Sequence, residues 1–225
     1  MDLHERIEAH PGMPYFRALL GYEHSKNVLS GNAFELKRFI EVLESQELEQ
    51  KVGYEGFRKG FRDFDGHLVR YVHNFLAGVM TLVSHTRVLM RSPIISPAHR
   101  TRYQAKIGEH FAESTLAKFM QGFRNYFLHY GVPATIHQTT ILPKEFCEIL
   151  IDMDQLRPWP GWTSDAKAFI DAHRPTMRLL TLVSDYERLA VEFHTWFILD
   201  FAREYSATLT ELESLQREWN ERLKA

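Results

Sequence analysis

Twelve histidines are spread along the 225-residue sequence, and their spacing decides whether they could bind a metal ion together. A helix presents two ligands to one ion only when they lie three or four residues apart, because only those positions share a face. No two histidines have that spacing, no glutamate stands three residues before a histidine, and no His-Glu-x-x-His occurs. The only cysteine, Cys147, cannot build a thiolate site. We therefore expect no metal and no other cofactor, and only a site assembled from distant segments could still bind a metal.

Motifs of other common enzyme classes are also absent from the sequence. It contains no Gly-x-x-x-x-Gly-Lys, no Gly-x-Gly-x-x-Gly and no Gly-x-Ser-x-Gly. These patterns form phosphate-binding loops, dinucleotide-binding turns and the nucleophile turn of many hydrolases. Cys147 falls in a predicted β-hairpin rather than at a helix start, where a thiolate would be favoured. The sequence therefore argues against these nucleotide-binding and hydrolytic classes.

One short segment, residues 123–130, combines residue types that suit phosphate chemistry: Arg124, Asn125 and His129, followed by Tyr130. Cleavage of RNA by its own 2′-hydroxyl needs a base, an acid for the leaving oxygen and positive charge near the phosphate. His129 can serve as base or acid because an imidazole titrates near neutral pH. Arg124 can bind a phosphate through two parallel hydrogen bonds, and Asn125 would hold the geometry of the site.

This arrangement resembles the Arg-x4–6-His motif of the HEPN superfamily, in which a polar residue commonly follows the arginine, as Asn125 does here. The resemblance implies a helical bundle that forms a homodimer and thereby brings two motifs together. It also implies metal-independent cleavage of RNA in a toxin or defence setting, with an antitoxin or another protein as partner. The bare pattern also fits three other pairs, which are Arg17–His24, Arg62–His67 and Arg188–His194. Only Arg124 has the adjacent asparagine and a place at the end of a strongly apolar predicted helix.

Structural roles compete with these functional interpretations. A histidine in the last helical turn is favoured by the helix dipole alone, and Arg124 can simply pair with an acidic neighbour. His73 and Asn74, on an upstream predicted helix, could enter the same cleft as binding residues together with Tyr130, or could be hydrogen-bonded core groups. Trp159 and Trp162 could stack nucleobases or pack a turn onto the bundle.

Two functions outside catalysis also fit the sequence. The first is a non-catalytic helical scaffold that uses the same cleft to bind a partner protein or a nucleotide. The second is a bundle that binds a small apolar ligand in a pocket lined by phenylalanine side chains. A scaffold would bury Arg124 and His129 in satisfied pairs, whereas an enzyme would leave them open.

Hydrophobic periodicity predicts a mainly α fold, an antiparallel helical bundle, and the resemblance implies a bundle of the HEPN-like kind. Segments rich in β-branched residues predict a β-hairpin insertion around 134–151. We expect one domain over 1–225, with N-terminal helices in 1–60, two long core helices in 61–133, the hairpin and a turn in 134–162 and C-terminal helices in 163–225. Gly31-Asn32 is predicted to separate two helices, and Gly53, Gly56 and Gly60 to make the next connection irregular.

The two core helices are predicted with more definite limits. The first should span about 65–90 and end at Pro93 and Pro97, and the second should run from about 97–100 to Tyr130. The hairpin is expected on the surface of the bundle. A short helix should then extend to about His173, followed by a helix to about Tyr205 and a charged final helix.

Composition limits the setting in which the protein works. Apolar residues make up 44% and charged residues 25% of the chain, with a net charge of −2 and a pI near 6.6. This balance is typical of a globular protein and argues against coating nucleic acid by bulk positive charge. The single cysteine, the absence of a secretory signal at Met1 and the absence of a long apolar run predict a cytoplasmic protein without a membrane partner.

Overall fold

The computed structural model describes residues 2–133, 135–140 and 146–224, with the side chains of 2–45, 66–133, 135 and 148–224. The chain is mainly helical, as predicted, with a small antiparallel sheet. Its elements are α1 Leu3–Glu8, α2 Met13–Leu43, α3 Gln46–Arg91, α4 Pro97–Ile107, a π-helical turn Gly108–Ala112, α5 Thr115–His129, β1 Thr135–Thr140, β2 Phe146–Asp152, α6 Met153–Leu156, α7 Ser164–Ala172, β3 Thr176–Arg178, α8 Leu179–Glu204 and α9 Ser206–Lys224.

Helix α2 is continuous through Gly31-Asn32, so the predicted separation of two helices there was wrong. The Asn32 side chain donates from Nδ2 to the Asn74 carbonyl at 2.9 Å, and thus joins α2 to α3 instead of competing for its own backbone. The helices approach closely at this point, because a Cβ on Gly78 would lie 3.2 Å from the Cα of Leu29. Asn32 therefore serves helix packing, which a turn signal in the sequence cannot distinguish, whereas a Cβ on Gly31 would meet open space.

Helix α3 begins at Gln46, and its backbone is helical through Gly53, Gly56 and Gly60, where an irregular connection was predicted. A glycine costs a helix only about 1 kcal/mol relative to alanine, and a long helix can absorb that cost. The predicted helix over 65–90 is therefore confirmed as the second half of a longer one. It ends at Arg91, before Pro93.

The second core helix is divided, where the sequence predicted one helix from about 97–100 to Tyr130. Helix α4 passes into the π-helical turn, and α5 begins anew after Ser114. The Ser114 hydroxyl accepts a hydrogen bond from the Ala117 amide at 3.2 Å, which makes Ser114 the cap of a new helix. The apolar positions on either side of this cap, Phe111 and Leu116, are five residues apart and so break the helical period.

The predicted hairpin is present as β1 and β2, in a register that pairs Thr135 with Ile151 and Thr140 with Phe146. Its connection, residues 141–145, lies outside the described residues. A third strand, β3, adds antiparallel to β2 and was not predicted. The expected surface position was wrong for β2, because Ile149, Leu150 and Ile151 are all buried.

Glu44, just after α2, ties the sheet to the bundle. Its buried carboxylate accepts from the Ile149 amide at 3.0 Å and from the Arg178 guanidinium, which also lies near Glu148. Three segments that are distant in the sequence therefore meet at one side chain.

Helix α8 runs through the centre of the core and packs antiparallel to both α2 and α4. Its buried aromatic residues are Tyr186, Phe193, Phe197 and Phe201. Helices α8 and α9 lie where the sequence predicted the two C-terminal helices. Among the described helices, none is both long and apolar enough to span a bilayer.

Candidate functional site

Helix α5 carries Arg124, Asn125 and His129 on the side that faces away from the core. Phe119, Met120, Phe123 and Tyr126 are its buried residues. Close packing fixes this helix at Gly122, because a Cβ there would lie 2.5 Å from the Trp162 ring. The motif residues therefore project from a helix whose inner face is held in place.

Arg124 is half-buried and holds its guanidinium against Asn125. Its Nη1 donates to the Asn125 Oδ1 at 3.3 Å. Its Nε is buried and has no hydrogen-bond partner among the described residues. Within the part of the chain whose side chains are described, no carboxylate lies within ion-pair distance of it. Among these side chains nothing neutralises the permanent positive charge of Arg124, and an anion could do so.

His129 is exposed and is the last residue of α5. The helix is regular up to this point, since the Tyr130 amide donates to the Tyr126 carbonyl at 2.9 Å and the Gly131 amide to the same oxygen at 3.0 Å. Arg124 and His129 are therefore about 140° apart around the axis, as their five-residue spacing requires. The helix end is not unwound before His129, so it does not turn the two side chains towards each other.

Asn125 connects the two ends of the motif. It lies four residues before His129, so these two side chains share a face, with Cβ atoms about 5–6 Å apart. On its other side it accepts the hydrogen bond from Arg124. Arg124, Asn125 and His129 therefore form one continuous polar strip across the exposed side of α5, with Leu128 between them.

The two residues predicted on α3 have different surroundings. His73 is exposed and its ring centroid lies 6.3 Å from that of Phe127, which places it beside α5. Phe127 follows Arg124 by three residues and so lies on the same side of the helix. Asn74 is half-buried, and its carbonyl accepts the bond from Asn32 on α2. Of the two, His73 has a ring contact with the motif helix and Asn74 is joined through its carbonyl to α2.

Comparison of the chain with family models, with curated proteins and with solved structures finds no match. The resemblance to the HEPN motif therefore rests on the residues already named.

Tyr130 and the two tryptophans lie at the end of the same helix. Trp162 is buried, parallel to the Phe119 ring at 5.4 Å, and its Nε1 donates to the Leu156 carbonyl at 2.7 Å. Trp162 thus packs the turn onto the bundle, which was one of the two predicted roles. Tyr130 projects into solvent, and its ring lies 6.2 Å from that of the half-buried Trp159.

Polar side chains buried against α8 were not predicted as a group. The Tyr22 hydroxyl is hydrogen-bonded to the His194 Nδ1, and burial, followed by the nearby Lys26 and His110, lowers the pKa of His194 to about 3. Burial also raises the pKa of Tyr22. The signal in the sequence was a histidine inside the apolar stripe of α8, next to Phe193 and Phe197.

A second buried polar cluster joins α4 to α8. Arg102 Nε donates to both carboxylate oxygens of the buried Asp200, at 3.1 and 3.0 Å, and Arg102 also pairs with Glu204 at 3.0 Å. His99 is fully buried, with its Nδ1 3.2 Å from Asp200 Oδ2, and burial lowers its pKa against the opposing effect of Asp200. These pairs fasten two helices together.

Metal ligands do not gather in the described part of the chain. No group of three or more histidine, cysteine, aspartate or glutamate side chains there could hold an ion. A groove between α1 and α9 contains no phenylalanine and is lined by Arg6, Ala9, His10, Pro11, Glu211, Ser214, Leu215 and Glu218. The polar strip on α5 is therefore the arrangement best suited to chemistry.

Proposed function

We propose that this protein is a HEPN-like, metal-independent endoribonuclease that acts as a homodimer in a toxin or defence setting. The observation that carries the proposal is the Arg124 guanidinium, which has no carboxylate partner among the described side chains and lies in one strip with the exposed His129. A cation without a counter-charge among the described side chains, on the same exposed helix surface as an open imidazole, suits a phosphodiester.

Each residue of the strip has a role in the proposed reaction. The 2′-hydroxyl of the RNA attacks the adjacent phosphorus, and the P–O bond to the 5′-oxygen of the next nucleotide breaks. His129 accepts the proton of the 2′-hydroxyl or donates one to the leaving oxygen. Arg124 binds the phosphate oxygens, whose negative charge grows in the transition state. Asn125 is a positioning residue, because its Oδ1 accepts from the arginine.

A second copy of the chain supplies what one strip lacks. One imidazole cannot be base and acid in the same step, and one α5 separates Arg124 from His129 by about 140°. Two strips that face each other around a two-fold axis would provide two imidazoles and two guanidinium groups across one phosphate. The exposed apolar side chain of Leu128, in the middle of the strip, could pack at such an interface.

The test is cleavage of single-stranded RNA by purified protein in excess EDTA. We expect wild type to remain active under chelation, and Arg124→Ala and His129→Ala each to lose about 100-fold or more in rate. Asn125→Ala should retain more activity than either, since it acts through the arginine. Rates are measured on a fluorescently labelled RNA at fixed protein concentration.

The chain offers a matched control in Arg17 and His24 on α2, which fit the same bare pattern and are exposed. The double variant Arg17→Ala/His24→Ala should cleave at the wild-type rate. If wild type leaves RNA intact, or if the α5 variants cleave as fast as this control, the ribonuclease proposal is wrong.

The alternative is a non-catalytic scaffold that binds a partner protein through the same end of α5. Three apolar side chains exposed there favour it: Leu128 at 37%, Tyr130 at 66% and Val132 at 53%. Such a surface is typical of a protein interface. Inactive wild type together with a defined complex that Leu128→Asp disrupts would support the scaffold.

A further inference from the structure

Tyr130 presents one of the most exposed aromatic rings in the described part of the chain, directly after the proposed general base. Its exposed fraction is 66%, and its ring centroid lies 5.1 Å from that of Tyr126 and 6.2 Å from that of Trp159. A large ring left in water costs free energy unless something covers it. The neighbouring aromatic rings hold Tyr130 from behind and leave the side facing solvent open.

Trp159, which backs Tyr130, is rigidly held. Its indole meets Trp162 edge to face at 5.0 Å and 89°, and Tyr126 at 5.6 Å and 85°. The backbone of Gly161 lies against the same indole, because a Cβ there would be 2.3 Å from the Trp159 ring. The aromatic group formed by Tyr130 and Trp159 is therefore preorganised, so a ligand that stacks on it loses little side-chain freedom.

We propose that Tyr130, backed by Trp159, stacks one unpaired nucleobase of the RNA whose phosphate lies at Arg124 and His129. This inference rests on the proposed function, because it takes the ligand's position from that phosphate. Every base has a π-face, so stacking on a tyrosine tolerates any sequence. Bases inside a duplex are already stacked on each other and cannot reach the ring. The site therefore selects single-stranded RNA.

The position of Tyr130 favours a nucleobase over other planar ligands. The Cα atoms of Tyr130 and His129 are about 3.8 Å apart, so a base stacked on Tyr130 belongs to a nucleotide near the reacting phosphate, although the two side chains leave the helix in directions about 100° apart. The net charge of −2 means that bulk attraction contributes little to RNA binding. Stacking supplies affinity that the overall charge does not.

The experiment measures binding apart from cleavage. Binding of labelled octauridylate to the His129→Ala protein is followed by fluorescence anisotropy. If the proposed function is right, this variant does not cleave the RNA during the measurement. If it is wrong, neither wild type nor the variant cleaves the RNA, and the binding measurement is unaffected. In this background we expect Tyr130→Leu to weaken binding on the order of tenfold, and Tyr130→Phe, which keeps the ring, to bind as before. A longer RNA of mixed sequence should bind more weakly by a similar factor once it is annealed to its full complement.

Phe34→Leu is the matched control, since Phe34 on α2 is 62% exposed and its loss removes a comparable ring elsewhere. Binding by this variant should not change. Thermal melting checks that each variant is folded, and because Tyr130 is exposed, Tyr130→Leu should melt like wild type.

The outcomes separate the two proposals. Equal binding by Tyr130→Leu and Tyr130→Phe would overturn the stacking site. An absence of RNA binding by the His129→Ala protein itself would overturn it too. In either case, EDTA-resistant cleavage that needs Arg124 would still support the ribonuclease proposal. Conversely, binding that depends on Tyr130 in a protein that does not cleave RNA supports the stacking site and overturns the enzymatic proposal.

Discussion

Two regions of the molecule use the same residue types in opposite ways. On α5, Arg124 has no carboxylate partner among the described side chains and His129 is open to water. Against α8, Arg102 is bound by both oxygens of Asp200, and His99 and His194 are buried. Arginine and histidine in a sequence therefore say little about function until their partners are known.

The difference follows from where each region gets its stability. The α8 clusters join helices through paired groups, Arg102 with Asp200 and Tyr22 with His194, because an unpaired buried group loses more in desolvation than it gains. His99 is the exception, since neither of its ring nitrogens has a hydrogen-bond partner in the described part of the chain. Among the described side chains, the α5 strip makes no hydrogen bond or ion pair to another helix, and the inner face of α5 is held by aromatic packing against Trp162. Its polar groups remain available for a ligand. The predictions below therefore separate stability from activity.

The largest expected effect is the pH dependence that His194 gives to stability. Its pKa in the folded protein, about 3, lies below its ordinary value of 6.5, so the unfolded chain binds the proton more tightly. Its contribution is complete above pH 6.5 and is lost as the pH falls towards 3, at about 1.4 kcal/mol for each pH unit. Urea unfolding of wild type and His194→Gln between pH 7 and pH 4 measures this, and the variant should show the shallower pH dependence.

His24→Gln provides the control for this measurement, because His24 lies exposed on α2. Its unfolding free energy should depend on pH as that of wild type does. Parallel curves for wild type and His194→Gln would mean that the imidazole buried beside Tyr22 does not resist protonation.

A smaller effect is expected from Asp200, which is buried and holds Arg102 by two hydrogen bonds. Asp200→Ala should lower the free energy of unfolding by about 2 kcal/mol, since the half-exposed Arg102 can be rehydrated. The corresponding change at an exposed pair, Asp185→Ala opposite Arg188, should cost less than about 0.5 kcal/mol. Equal losses at the two sites would contradict the structural role given to the α4–α8 cluster.

The smallest effect on stability is expected where the largest effect on activity is proposed. His129→Ala should change the free energy of unfolding by no more than about 0.5 kcal/mol, because the side chain is exposed. Urea unfolding at pH 7 measures this alongside the RNA assay. If His129→Ala lowered the free energy of unfolding by several kcal/mol, His129 would have a structural role like that of His99 and His194. The contrast between the two regions would then be lost.

Much of the fold could be predicted from periodicity. The helix over 65–90 and the helices after residue 163 follow from spacings of apolar residues that the structure buries, and the hairpin follows from its content of β-branched residues. The errors had two causes. Asn32 is typical of a turn but here forms a hydrogen bond to α3. Strand β3 has only three residues, too few to show the alternation of apolar and polar residues that predicts a strand.

The candidate site was predictable as a set of residues but not as a geometry. The types and spacing of Arg124, Asn125 and His129 placed them at a helix end, where α5 does end. Neither the missing carboxylate partner of Arg124 nor the burial of Trp162 could be predicted, because both depend on which distant segments fold against α5. His194 was missed as a buried polar group for the same reason, since Tyr22, its partner, is 172 residues away.

Glu44 couples the opening of the α2–α3 helix pair to the opening of the sheet. Its carboxylate binds partners 105 and 134 residues further along the chain, at Ile149 and Arg178. Detaching the end of α2 would strip the Ile149 amide and the Arg178 guanidinium of their acceptor together, so neither element can open alone without leaving the other's polar groups unsatisfied. A motion that begins at the hairpin would therefore also displace the turn between α2 and α3, which is about 100 residues away in the sequence.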